Sequence, residues 1–140
     1  MADEEQAMPK SWEKISLKKM KLQVIAGDTL DADFNRNGRF SNSQERVRLL
    51  YVDTPELKKS HKGKDPKLGL PAISFLRTVL SKTNSVLWAD QKNKTGNYGR
   101  LLAVLEVKGH NINLALIKRG HGYLNTRYTW ADGFKTYART

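Results

Sequence analysis

Apolar and polar positions alternate along this chain in several short runs and follow a helical spacing in two. Met20, Leu22 and Val24 alternate with Lys19, Lys21 and Gln23 and close a basic stretch, residues 12–25, that predicts one strand with a solvated face. Gly27 and Asp28 interrupt it, and Thr29 to Phe34 alternate again, so a hairpin joins the two runs with Asp28 at its tip or just after it. Residues 35–44 are a polar loop rich in Asn, Ser and Gly. Residues 46–52 predict a third strand, with Val47, Leu49 and Tyr51 on one face and Arg48, Leu50 and Val52 on the other.

Ala72, Phe75, Leu76, Val79 and Leu80 form an i, i+3, i+4, i+7, i+8 stripe, and Pro71 suits a first turn, so residues 70–82 predict a core-facing helix. Residues 86–90 predict a strand with Val86 and Trp88 on one side. Residues 101–107 are apolar almost throughout and predict a central strand buried on both faces. After a turn of Lys108, Gly109, His110 and Asn111, residues 112–119 predict a short helix with Ile112, Ala115 and Leu116 inward and Gly120 as its stop. Residues 132–140 start a further helix, capped by Asp132, that is marginal at this length and reads as the truncated last helix of the domain. Five strands with a helix between the third and fourth predict an α+β, mainly β domain over residues 12–140. The five-stranded OB barrel is its candidate architecture. Residues 1–11, acidic and poor in apolar side chains, predict a disordered leader.

Composition narrows the partners. Twenty-five Lys and Arg against 14 Asp and Glu give a net charge of +11 over 140 residues, which points to polyanions, nucleic acid first and an anionic membrane surface second. The membrane reading ranks last, because no apolar run reaches the ~18–20 residues of a span and the long helix carries only Arg77 and Lys82 as basic residues. Five lysines between residues 58 and 67 form a basic loop suited to attracting polyanions. His61 and His110 read as surface and turn residues. The absence of cysteine excludes disulfides, a thiol nucleophile and thiolate metal sites. No signal-peptide pattern opens the chain.

The third strand carries the chemistry. Arg48 shares a face with apolar neighbours, a costly placement unless an anion meets it. Pro55 ends the strand, so Asp53 and Glu56 emerge beside the arginine, where acid–base chemistry or metal binding is feasible. Taken alone, the segment fits equally well an ordinary Asp-Thr-Pro turn in which Arg48 pairs with Glu56. Asp28 alone reads as a turn aspartate and Arg100 as a surface charge. The rings from Tyr123 to Tyr137 read as packing groups first and base-stacking groups second.

Taken together and in order, Gly27-Asp28-Thr29, Arg48 with Asp53-Thr54-Pro55-Glu56, the 69–80 helix and Tyr98-Gly99-Arg100-Leu101 closely resemble the staphylococcal nuclease (thermonuclease) family over residues 20–124. The resemblance implies an OB barrel with three helices and a monomeric, calcium-dependent phosphodiesterase. Its substrates would be DNA and RNA, single strands favoured, cut in endo or exo mode with little sequence specificity to leave 3′-phosphates. It further implies that Asp28 and Asp53 are calcium carboxylates with the Thr54 carbonyl as a third ligand, that Glu56 contacts the attacking water, and that Arg48 and Arg100 grip the phosphate. Tyr98 is similar to the family's ring beside the substrate's 5′ phosphate. The chain departs from the pattern at Ala26, where members often carry an aspartate, and at Gly96-Asn97, where a charged pair is common. It departs again at Thr126, where the archetype's base-stacking tyrosine falls, leaving Tyr128 or Tyr123 for that role. Secretion or surface display is implied by the resemblance, with a cytoplasmic setting as the alternative. A non-catalytic nucleic-acid-binding or scaffold module of the same family is the rival function, and it predicts loss of at least one of Asp28, Arg48, Asp53, Glu56 or Arg100; all five are present.

Overall fold

Residues 12–25 do not form the single strand that their alternation predicts. In the computed structural model, which describes residues 11–40, 45–55, 69–81, 85–90 and 100–125, they divide into β1 (Trp12–Ser16) and β2 (Leu22–Ala26). The chain reverses between them. Lys19 takes a left-handed φ of 60°, the Met20 N–H donates to the Leu17 carbonyl at 3.0 Å, and Leu17 anchors the turn in the core.

The hairpin after β2 is as expected, with β3 (Thr29–Ala32) running antiparallel to it. β4 (Arg46–Leu49) pairs antiparallel with β3, placing Arg48 opposite Thr29. On its other side β4 lies parallel to β7 (Leu101–Val107), with Arg48 beside Leu102. β6 (Ser85–Asp90) joins β7 to β1, giving the order β1-β6-β7-β4-β3-β2, in which β7 holds the expected central place. β1 and β2 are thus consecutive in the chain yet at opposite ends of the strand order. A flat sheet would separate them by about 24 Å, five gaps of about 4.8 Å, whereas the residues joining them fold back in a tight turn. The sheet therefore curls until its ends approach, the OB-like barrel that the sequence implies.

Residues 46–52 also divide. β4 stops at Leu49, Tyr51 takes a left-handed φ of 71°, and β5 (Val52–Asp53) leaves in a new direction to pair with β9 (Tyr123–Leu124). The corner overturns the expected faces. Val52 joins Val47 and Leu49 in the main core with Leu30, Leu76, Leu87 and Leu105. Leu50 and Tyr51 enter a second cluster with Trp12, Leu102, Val104 and Leu114. A left-handed residue rotates its successors off the period of two on which the expectation rested. With β8 (His110–Asn111) extending β7, the described residues hold nine strands where five were expected. Two predicted strands are split, and β8 and β9 are too short to show a period.

α1 (Leu70–Leu80) packs on β2 with Ala72, Ile73 and Leu76 buried and Phe75, Val79 and Leu80 half-buried. α2 (Ile112–Lys118) packs on β7 and begins at Asn111, whose side-chain oxygen accepts from the Leu114 N–H at 3.0 Å. Ala115, expected inward, is half-buried, because the short helix presents Asn113 and Leu114 to the core instead. The leader (apart from Ser11) and the third helix expected at 132–140 lie outside the described residues. No helix among the described residues is long and apolar enough to cross a membrane.

Candidate active site at the Tyr51 corner

The β2–β3 register shift, the turn at Gly27 and the Tyr51 corner meet at one end of the barrel. The β2–β3 ladder shifts register between Val24 and Ala26, and the hairpin turns at Gly27. A Cβ on Gly27 would stand 2.4 Å from the Ala72 Cβ and 2.8 Å from the Thr54 hydroxyl, so only glycine lets the hairpin approach α1 and residue 54 this closely. The Asp28 carbonyl accepts from the Leu49 N–H at 2.9 Å, which ties the hairpin tip to the end of β4.

The side chain of Asp28 does not serve its own turn. One oxygen accepts from the Thr29 hydroxyl at 2.8 Å, the other from the Thr54 N–H at 2.8 Å, 26 residues away, and the residue is buried. The second oxygen also lies 3.4 Å from Arg48 Nη2. Arg48 is itself buried, its Nη1 donating to the carbonyls of Leu49 (2.9 Å) and Val52 (2.7 Å). Those two carbonyls flank the Tyr51 corner, so the arginine spans it. Nη2 donates to Asp53 Oδ1. The anion that the burial of Arg48 requires is therefore a pair, Asp53 and Asp28. The alternative of an Arg48–Glu56 pair falls on a residue outside the described set.

Asp53 stands at the end of β5 with its side chain 54% exposed. Thr54 is buried, and its hydroxyl has no hydrogen-bond partner among the described residues. Arg100 is half-buried and directly precedes β7. In the parallel register Val47 lies beside Leu101 and Arg48 beside Leu102, so Arg100 enters β7 next to the strand that carries Arg48. The structure thus brings together Asp28, Arg48, Asp53 and Thr54 and sets Arg100 nearby. Glu56, Tyr98 and Tyr128 lie outside the described residues.

Two asparagines that no sequence motif marks shape the corner. Asn113 of α2 is fully buried; its Nδ2 donates to the carbonyls of Leu50 (2.9 Å) and Ala103 (3.0 Å), and its Oδ1 accepts from the Leu105 N–H at 2.9 Å. Asn125, just after β9, donates its backbone N–H to the Tyr51 carbonyl at 2.7 Å and its Nδ2 to Asp53 Oδ1 at 3.3 Å. A signal for Asn113 was present: Asn111 suffices as helix cap, so a second asparagine two residues on has no local task. Nearby on β3 and β4, Asp31 and Arg46 form a two-pronged pair at 2.9 and 3.2 Å. That hydrogen bonding holds the Arg46 guanidinium above its ordinary pKa, against the opposite pull of burial.

The donor set suits a hard cation. Asp28 and Asp53 supply oxygen only, which is the chemistry of calcium or magnesium. Two carboxylates around one guanidinium also leave the trio one negative charge in excess. Among the described residues no group of three or more His, Cys, Asp or Glu converges.

The sequence model of the family described as staphylococcal nuclease homologue matches residues 46–138. The thermonuclease of Staphylococcus intermedius is 36% identical over 98 residues, covering 70% of this chain and 54% of that protein. Endonuclease YncB of Bacillus subtilis is 32% identical over 98 residues, 70% of this chain and 43% of that protein. The SPbeta prophage-derived endonuclease YokF of the same organism is 30% identical over 119 residues, 81% of this chain and 37% of that protein. The chain therefore spans between about a third and just over half of the length of these relatives. With the family model matching well over half of the sequence, and with the motif residues Asp28, Arg48 and Asp53 gathered at one corner of an OB-like barrel, the chain belongs to the staphylococcal nuclease family.

Proposed function

We propose that this protein is a calcium-dependent phosphodiesterase that cleaves DNA and RNA, single strands preferentially, with little sequence specificity and leaves 3′-phosphates. The observation that carries the reading is the Asp28–Arg48–Asp53 trio with its excess negative charge, buried at Asp28 and Arg48 and open to solvent at Asp53. The nuclease names of the relatives and the +11 charge of the chain support it.

Cleavage that leaves a 3′-phosphate breaks the P–O5′ bond. Water attacks phosphorus opposite that oxygen and gives up a proton, and the 5′ oxygen departs as a hydroxyl after taking one from solvent. Glu56, three residues beyond Asp53, is the carboxylate assigned to orient the water and take its proton. Negative charge building on the equatorial oxygens is met by Arg48 and Arg100, whose planar guanidinium groups can each hold two oxygens. Nη1 of Arg48 is committed to two backbone carbonyls and Nη2 to Asp53, so Nε, joined by Nη2 once it leaves Asp53, is the side that meets the phosphate. Asp28 and Asp53, with the Thr54 carbonyl, are the residues that would hold calcium, which when bound neutralises phosphate charge and acts as a Lewis acid. Tyr98 lies beside the 5′ phosphate in this reading, and Tyr128 is the base-stacking ring.

The test is incubation with single-stranded DNA in calcium or in chelator, alongside a Glu56→Gln, Arg100→Ala variant. Cleavage in calcium that is absent in chelator and absent in the variant is the expected result. A folded protein that binds the strand and never cuts it across a wide calcium range would replace this reading with the binding-module one.

A further inference from the structure

We propose that Asn125 is a positioning residue for Asp53: its amide holds one carboxylate oxygen inward and so leaves the other as the oxygen offered to a divalent cation. The inference rests on the reading of Asp28 and Asp53 as cation ligands. Asn125 is itself buried, and its place is fixed from two sides. Its N–H bonds to the Tyr51 carbonyl at 2.7 Å, while the β5–β9 ladder sets Val52 opposite Leu124 and Asp53 opposite Tyr123. From there Nδ2 reaches Asp53 Oδ1 at 3.3 Å, the same oxygen that accepts from Arg48 Nη2. Two donors from separate elements on one oxygen settle the rotation of the carboxylate. Among the described residues no hydrogen bond reaches Oδ2, and more than half of the side chain is exposed, so Oδ2 faces outward.

Ligating carboxylates are oriented by hydrogen bonds to their other oxygen, and that second layer of bonds sets metal affinity. Arg48 is poorly suited to the task alone. It is shared with Asp28, it turns to the substrate in the proposed reaction, and its positive charge competes with a cation for the same carboxylate. The amide of Asn125 is neutral. It can hold Asp53 in place before, during and after a cation binds, without electrostatic cost to that binding.

The experiment is calorimetric titration of the 140-residue chain with calcium alone, without nucleic acid. Wild type is compared with Asn125→Leu, Asn125→Ala and, as a control, Leu124→Ala, which loosens the same strand pair but keeps the amide. Circular dichroism confirms which variants are folded at the titration temperature. Loss of a hydrogen bond to a charged ligand group is expected to raise the calcium dissociation constant about three- to tenfold in either folded Asn125 variant. Leu124→Ala is expected to lower the melting temperature and leave that constant within about twofold. Calcium affinity in a folded Asn125 variant equal to wild type, or an equal loss in Leu124→Ala, overturns the positioning role and leaves the cation site standing. If wild type itself shows no calcium binding, the cation reading of Asp28 and Asp53 falls, and this inference falls with it.

Discussion

Among the described reversals that use left-handed backbone, two are stabilised in opposite ways. Between β7 and β8 the residues with positive φ are Lys108 (53°) and Gly109 (80°), both exposed, in the two-residue loop type that matches the twist of a hairpin. A glycine and the local geometry suffice. At the other reversal Tyr51 is fully buried at φ 71°, a conformation costing a non-glycine residue about 1–2 kcal/mol. Arg48 braces the corner locally across Leu49 and Val52, and distant residues hold the rest: Asn113 on the Leu50 carbonyl, Ala103 on the Leu50 N–H and Asn125 on the Tyr51 carbonyl. The two turns also differ in what they position: the first only reverses the chain, whereas the second sets Asp53 beside Arg48 and Asp28.

The contrast can be broken most forcefully at Asn113. Replacing it with alanine leaves the buried Leu50 carbonyl and Leu105 N–H without their partner. The expected loss is about 3 kcal/mol in a denaturant unfolding experiment. A loss below about 1 kcal/mol would mean that the corner holds itself. The local turn should respond less: Gly109→Ala meets no atom within 4 Å and suffers only the strain of its φ, so about 1 kcal/mol is expected from the same measurement. The Asn113 variant should also slow calcium-dependent cleavage at a temperature where it is folded. The Gly109 variant should cleave like wild type.

The contrast also explains which features were legible in the sequence. Residues 70–82 are legible because their helical period runs uninterrupted and residues 101–107 because their apolar run does, and they appear as α1 and β7 with nearly the expected bounds. The need of Arg48 for an anion was legible from the cost of burying a charge, although its partners proved to be Asp53 and Asp28. The corner itself was hidden. Leu50 and Tyr51 are strand-favouring residues with no Gly, Pro or Asn to mark a break, so alternation was carried through a point where the backbone abandons it. The bond from Asp28 to the Thr54 N–H and the grip of Asn113 and Asn125 are long-range, and single residues in a sequence carry no signal for such pairings beyond an asparagine without a local task. The turn at Lys108 and Gly109, whose cause is local, is legible, although the reading extends it over His110 and Asn111, which pair with β7 as β8.

In the function proposed above, this corner gathers Asp28 and Asp53 into one cation site. Thermal unfolding of wild type and of an Asp28→Asn, Asp53→Asn variant, each in calcium and in chelator, tests it most directly. A ligand that binds only the folded state stabilises by about 2.7 kcal/mol at a hundredfold excess over its dissociation constant. Wild type should therefore melt several degrees higher in saturating calcium, and the double variant should melt at the same temperature with and without it. An equal calcium-dependent rise in both proteins, or none in wild type, would contradict the account.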